Sequence, residues 1–170
     1  MIRKGIRSAT VLLAALAIPV LILAAPPPAS AAGTQMCEAY GSYCLNTADF
    51  NLYTSVTESA NNGRTISAVL TSDTYNNQRV YILQLDGGTN KWVASSNNNT
   101  DVVIKYCNGG SDLAAEWLDK PDGNYDRWVS VAATMAFGSN MYLSGQEKPG
   151  SQYRLYGLGV SGAYQVFDLV

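Results

Sequence analysis

Beyond residue 40 or so, no long stretch of the chain keeps a helical period. Short apolar or alternating runs recur instead, separated by Asn, Gly, Asp and Pro. Runs of this length with turn residues between them satisfy their backbones by pairing as strands. The candidates are 43–46, 52–57, 65–70, 80–85, 91–94, 102–106, 128–131, 141–144, 153–156 and 165–169. "LDGGTN" after the run 80–85 is a strong turn signal. One stretch, "LAAEWLDKPDGN", has the Leu113, Glu116, Trp117 spacing of a helical turn, closed at once by Pro121 and Gly123. Many short strands in one domain point to a barrel or sandwich.

A threefold echo narrows the choice. Three head segments read Cys44-Leu45-Asn46-Thr47, Trp92-Val93-Ala94-Ser95 and Tyr142-Leu143-Ser144-Gly145. Each runs through a polar loop into a second strand, "NLYTSVT", "DVVIKYC" and "QYRLYG". Toward the end of each unit comes a triad: Gln78-Arg79-Val80, Asp126-Arg127-Trp128 and Gln165-Val166-Phe167. Cys44 to Trp92 and Val80 to Trp128 are both offsets of 48, and the third unit is shorter. Three copies of a four-stranded unit are the arithmetic of an all-β fold, the β-trefoil.

The first 31 residues stand outside that pattern. Arg3, Lys4 and Arg7 precede the apolar run 11–25, which is broken by Pro19 and leads to small residues at Ala29, Ala31 and Ala32. This is the pattern of a secretory signal, with cleavage expected after Ala31. The run is too short and too interrupted for a membrane span. The expected division is a signal peptide, 1–31, and a single domain, 32–170, of a secreted, extracellular protein. Eight of the 11 basic residues and all 13 acidic ones fall in the second part, a net charge of −5. An acidic chain without a basic run argues against nucleic acid and anionic membrane surfaces as partners. The chain has 0 histidines, which removes the usual general base, the Ser-His and Cys-His nucleophile arrangements and most zinc sites.

Three cysteines in an exported chain leave one over. In "MCEAYGSYC" a two-residue turn at Tyr40-Gly41 sets Cys37 opposite Cys44, close enough for a disulfide. Cys44–Cys107 is the rival pairing. On the first, Cys107 is a free thiol, and no histidine is present to make it a catalytic one.

At these residues the chain resembles the ricin B-type β-trefoil lectins, over nearly the whole of 32–170. Cys44-Leu45-Asn46 matches that family's opening strand, and "VVIKYC" its second strand with a closing cysteine at Cys107. Gln165-x-Phe167 and Asp126-x-Trp128 are near its Gln-x-Trp, which fills the barrel floor, and Asn77-Gln78 copies its Asn-Gln dipeptide. The resemblance implies that Cys107 would pair with a cysteine at the head of its own unit, where Trp92 stands. It also implies that the Asn97–Asn99 cluster is the loop between the unit's first two strands. The departures bear on sugar binding: the family's head aspartate is Asn46, Ala94 or Ser144 here, and Val80 stands where the dipeptide expects tryptophan. Either strand within 65–85 could be the third of its unit.

Sugar recognition needs an aromatic face and a few amides or carboxylates for hydroxyls. Asn46, Tyr53, Asn77 and Gln78 in the first unit, and Tyr153, Tyr156 and Gln165 in the third, are the candidates. Against them, tyrosines pack between strands, and Asn46 and Asn77 can bond their own backbone in turns. The expected role is a monomeric, non-catalytic module binding an extracellular glycan or polysaccharide, with no cofactor and no metal. The alternative is a secreted protein-binding trefoil, such as a protease inhibitor, acting through "SSNNNTD", "KPDGNYD" or "SGQEKPGSQ". A glycoside hydrolase would need paired carboxylates. The cluster Glu116, Asp119, Asp122 and Asp126 reads instead as a solvated turn, and its spacing is not that of a calcium loop.

Overall fold

The computed structural model describes residues 34–39, 43–47, 51, 53–60, 63–85, 91–96, 100–106, 112–160 and 164–169. The expected signal segment 1–31, the Tyr40-Gly41 turn, the Asn97–Asn99 cluster and Cys107 lie outside them.

Twelve strands are described. They are β1 (Thr34–Glu38), β2 (Tyr43–Asn46), β3 (Thr57–Ala60), β4 (Thr65–Tyr75), β5 (Gln78–Leu85), β6 (Lys91–Ser95), β7 (Val102–Tyr106), β8 (Glu116–Asp122), β9 (Tyr125–Ser130), β10 (Tyr142–Ser144), β11 (Arg154–Tyr156) and β12 (Phe167–Leu169). Each pairing below is antiparallel. β1 pairs with β4, β4 with β5, β5 with β8, β8 with β9, β9 with β12, and β12 with β1. That closed ring of six leaves no open edge, which removes the unpaired backbone groups an open sheet would expose. The head strands β2, β6 and β10 pair with β1, β5 and β9 and carry β3, β7 and β11, making three hairpins that cap one end of the ring. The expected β-trefoil is the architecture found.

The pairing fixes the internal register. Cys37↔Cys44, Gln84↔Trp92 and Val129↔Tyr142 are equivalent pairs in the three units. One residue on, Glu38, Leu85 and Ser130 face Phe167, Ile66 and Trp117. The barrel interior follows in threes: Met36, Leu83 and Trp128, then Ile66, Trp117 and Phe167, then Leu45, Val93 and Leu143, all buried. At the cap the second segments meet on the pseudo-threefold axis. The amide of Val56 donates to Val102 O (3.0 Å), that of Val102 to Tyr153 O (3.3 Å) and that of Tyr153 to Val56 O (2.9 Å), a closed cycle.

Several expectations are corrected. The triads Gln78–Val80 and Asp126–Trp128 do not close their units; they lie on β5 and β9, which open the next ones. The true counterparts of Phe167 are Ile66 and Trp117. A polar-x-apolar triplet occurs on any half-buried strand, so three residues could not tell a unit's last strand from the next unit's first. "EWLDKPD" is strand β8 rather than helix, preceded by a short 3-10 turn, Leu113–Ala115, whose first amides Asp112 caps. Trp117 pairs across to Ser130 and is fully buried, so the tertiary slot overrode the local spacing. The run 52–57 is not one strand: Ser55 makes a single bridge to Val103, and β3 begins at Thr57. Val131 starts a helix, α1 (Val131–Phe137), instead of ending a strand. Ser130 caps its first turn through Ala133 N, and Gly138 closes it at φ 70°.

The Cys37–Cys44 disulfide is present, with Cα atoms 3.9 Å apart.

Candidate binding surface

The seven residues proposed from the sequence do not gather into one site. Asn46 Oδ1 accepts from the amide of Thr47 at 2.7 Å, a turn bond. Asn76 and Asn77 make the β4–β5 turn with φ 49° and 61°, at the opposite end of β5 from its contacts with the cap. Gln78, next in line, has its side-chain oxygen taken by the Lys120 ammonium. Tyr153 is wholly buried, its ring 6.0 Å from that of Phe167. Gln165 is a buried brace: its Nε2 donates to Ser144 Oγ (3.1 Å) and Gly157 O (2.8 Å), and its Oε1 accepts from Gly159 N (3.0 Å). Tyr156 is half-buried on β11, opposite Tyr142.

Tyr53 is different. It is 63 % exposed and sits at φ 63°, in the left-handed region. The cap register explains the geometry. Thr54 N donates to Asn51 O (3.2 Å), as Ser151 N does to Lys148 O (2.9 Å) in the third unit. Tyr53 N donates to Ile104 O and Gly150 N to Glu58 O, both at 2.8 Å. The two turns are therefore equivalent, and the left-handed corner that the third unit fills with Gly150 (φ 76°) carries Tyr53 in the first. A side chain there costs about 1–2 kcal/mol relative to glycine.

The bond to Ile104 sets this corner beside the end of β7, where Tyr106 is also exposed. The Lys91 ammonium lies 5.6 Å from the Tyr106 ring centroid, and Lys105 pairs with Asp112 at 2.9 Å. An exposed ring with a charged group beside it, as at Tyr106 and Lys91, can stack on the apolar face of a ligand and bond its polar edge. Residue type and spacing alone do not pick out Tyr106 and Lys91. Their one sequence signal is the cross-strand placement Lys91↔Tyr106, readable only once β6 and β7 are paired in register.

The carboxylates are distributed otherwise than as a solvated turn. Glu116 is buried at the start of β8, and burial, then Asp73 and Asp112, raise its pKa. Burial, then the hydrogen-bonded Asp126, push Asp119 up to about 6. Asp122 is the one at the surface, paired to Arg127 at 2.7 Å. A second acidic group, which no sequence motif marks, lies under the cap. Glu38 and Glu58 are each 2 % exposed, with Glu147 close by. Among the described residues no group of three or more His, Cys, Asp or Glu is arranged to hold a metal ion.

No protein-family model matches the chain, and no curated protein matches it. Solved structures do. One is the designed 3-fold symmetric protein ThreeFoil, with TM-score 0.59, 17 % identity and coverage of 81 % of this chain and 96 % of that one. Another is a mutant of Gallus interleukin-1 beta, with TM-score 0.59, 9 % identity and coverage of 81 % and 94 %. At these identities the likeness is one of fold.

Proposed function

We propose that the protein is a secreted, monomeric, non-catalytic carbohydrate-binding module of ricin B-like type, and that its working contact is the first cap loop with Tyr53 and Tyr106. The observation that carries this is the tyrosine at a glycine corner. A strained, largely solvent-facing aromatic in a position that its pseudo-symmetric counterpart fills with Gly150 is costly to the fold. Sugar rings bind by stacking on such a face. The −5 charge beyond residue 31 favours a neutral ligand over nucleic acid or an anionic membrane. The carboxylates nearest to a catalytic pair are turned into the fold or hydrogen-bonded to each other, which favours binding over hydrolysis.

The test is a binding screen of residues 32–170 against insoluble polysaccharides and a glycan array, with Tyr53→Gly beside the parent chain. Binding that simple sugars compete, and that falls at least about tenfold in the glycine variant while its melting temperature holds or rises, supports the reading. Unchanged binding by the variant, or no glycan binding at all, sinks it. One observation favours a protein partner as the second reading. Leu113 in the 3-10 turn, and Met135 and Phe137 on the helix packed against it, are all exposed. Stripping a protein from conditioned medium, lost on Phe137→Ser but kept in Tyr53→Gly, would move the function there.

A further inference from the structure

The loop between β10 and β11 is fastened to the first unit by an acidic residue at an apolar position. In the cap register Glu58 stands where the second and third units have Ile104 and Leu155, all three paired to head-strand core residues: Leu45↔Glu58, Val93↔Ile104 and Leu143↔Leu155. Its carboxylate accepts from the amides of Gln146 and Lys148, its carbonyl accepts from Gly150 N, and its own amide donates to Ser151 O. Beneath the same loop lies Glu38, where the other units have Leu85 and Ser130. Gly145 roofs it so closely that a Cβ there would collide with Glu38 Oε1. Tyr153 donates its phenol to that oxygen at 3.2 Å, and Oε2 has no partner among the described residues.

We infer that the loop 145–151 is a proton-tightened latch, closing over the first unit when the Glu38 carboxyl beneath it carries a proton and loosening as that carboxyl ionises. The groups that bear on Glu38 come from each neighbouring element. They are Glu58 on β3, Glu147 in the loop and the phenol of Tyr153 before β11; Phe167, across from it on β12, brings no charge. Tyr164 adds a phenol that donates to Glu147 and holds Gly145 by a pair of backbone bonds. The neighbouring cysteines are joined and do not titrate. Ionised together, Glu38 and Glu58 repel one another in a place water does not reach while the loop is down, and the exposed Glu147 above them adds to the repulsion. Burial, then Glu58, push Glu38 up to about 8, and burial also raises Glu58, against the Gln146 and Lys148 amides, which favour its anion. Lifting the loop returns both to water and to ordinary carboxylate behaviour. The closed state therefore holds protons that the open state releases between about pH 4.5 and 8. Opening becomes easier by up to about tenfold per pH unit for each proton released across that window and levels off above it.

Amide hydrogen exchange followed by NMR from pH 5 to 9, corrected for intrinsic rates, tests this. Protection at Gln146, Lys148 and Gly150 should fall as pH rises to about 8 and then flatten, while Leu83 in the barrel stays the more protected at every pH because only global unfolding exposes it. Glu38→Leu, which copies the residue at Leu85, should weaken the slope, and Glu38→Leu with Glu58→Gln should abolish it. Protection that does not change with pH, or an unchanged slope in Glu38→Leu, overturns the latch. If the leucine variant does not fold, the 13C signal of the Glu38 carboxyl in the parent chain decides. A midpoint near 8 that moves with the loop amides supports the latch, and one near 4.5 refutes it.

Discussion

The first and third cap loops share one backbone and spend it differently. Asn51 to Thr54 and Lys148 to Ser151 close with the same turn bond, and each corner donates to the next unit's second strand. In the third unit the corner is Gly150, preceded by Pro149, the pair that a turn of this kind asks for. Its side-chain fastening comes from outside, from Glu58. In the first unit the corner is Tyr53, strained and open to water, docked on Ile104, an apolar residue that offers no such fastening. Pseudo-symmetry thus supplies the frame, and each departure from it marks a place where one unit does something the others do not.

The largest break in this comparison is at Glu38. Replacing it by leucine should raise the melting temperature by several degrees at pH 8. The sign follows from its raised pKa: the native carboxyl contributes fully below about pH 4.5, and that contribution is lost as pH climbs to about 8. The gain should therefore shrink on acidification and vanish near pH 4.5, as thermal melts across that range would reveal. Next is Gly145→Ala, which forces the Glu38 carboxyl and the Tyr153 ring aside. A loss of about 1–3 kcal/mol is expected in urea titrations. Opening the Cys37–Cys44 bond, replaced in the other units by the uncharged pairs Gln84↔Trp92 and Val129↔Tyr142, should cost about 2.5 kcal/mol for its short loop. The smallest effect is the exchange of corners. Tyr53→Gly should gain about 1 kcal/mol and Gly150→Tyr lose about as much, by denaturant midpoints at constant slope. A Tyr53→Gly variant that is destabilised would mean that the ring packs in a way its exposure denies.

Much of the frame is legible in the chain itself. The head strands at Cys44, Trp92 and Tyr142 can be read because each sets a cysteine or aromatic residue before Leu or Val and then small residues, and the Cys37–Cys44 pairing because a two-residue turn at Tyr40-Gly41 would set those cysteines opposite one another. The closing triads mislead because the barrel's alternation repeats on every strand. "EWLDKPD" misleads because Trp117 satisfies a helix spacing and a strand slot alike. Of the candidate site, residue type points to Tyr53, but the same reasoning points to Tyr153 and Gln165, which the fold spends on its core and on a brace.

The order of short strands, their threefold recurrence and one local disulfide are written in the sequence, because alternation and turn chemistry act over a few residues. Which tyrosine meets water, which glutamate is buried under a loop and which residue answers which across the units depend on pairings between residues as far apart as Glu38 and Phe167. Those are set by closure of the ring, where burial and charge are decided by neighbours from other units, and no local pattern carries that information.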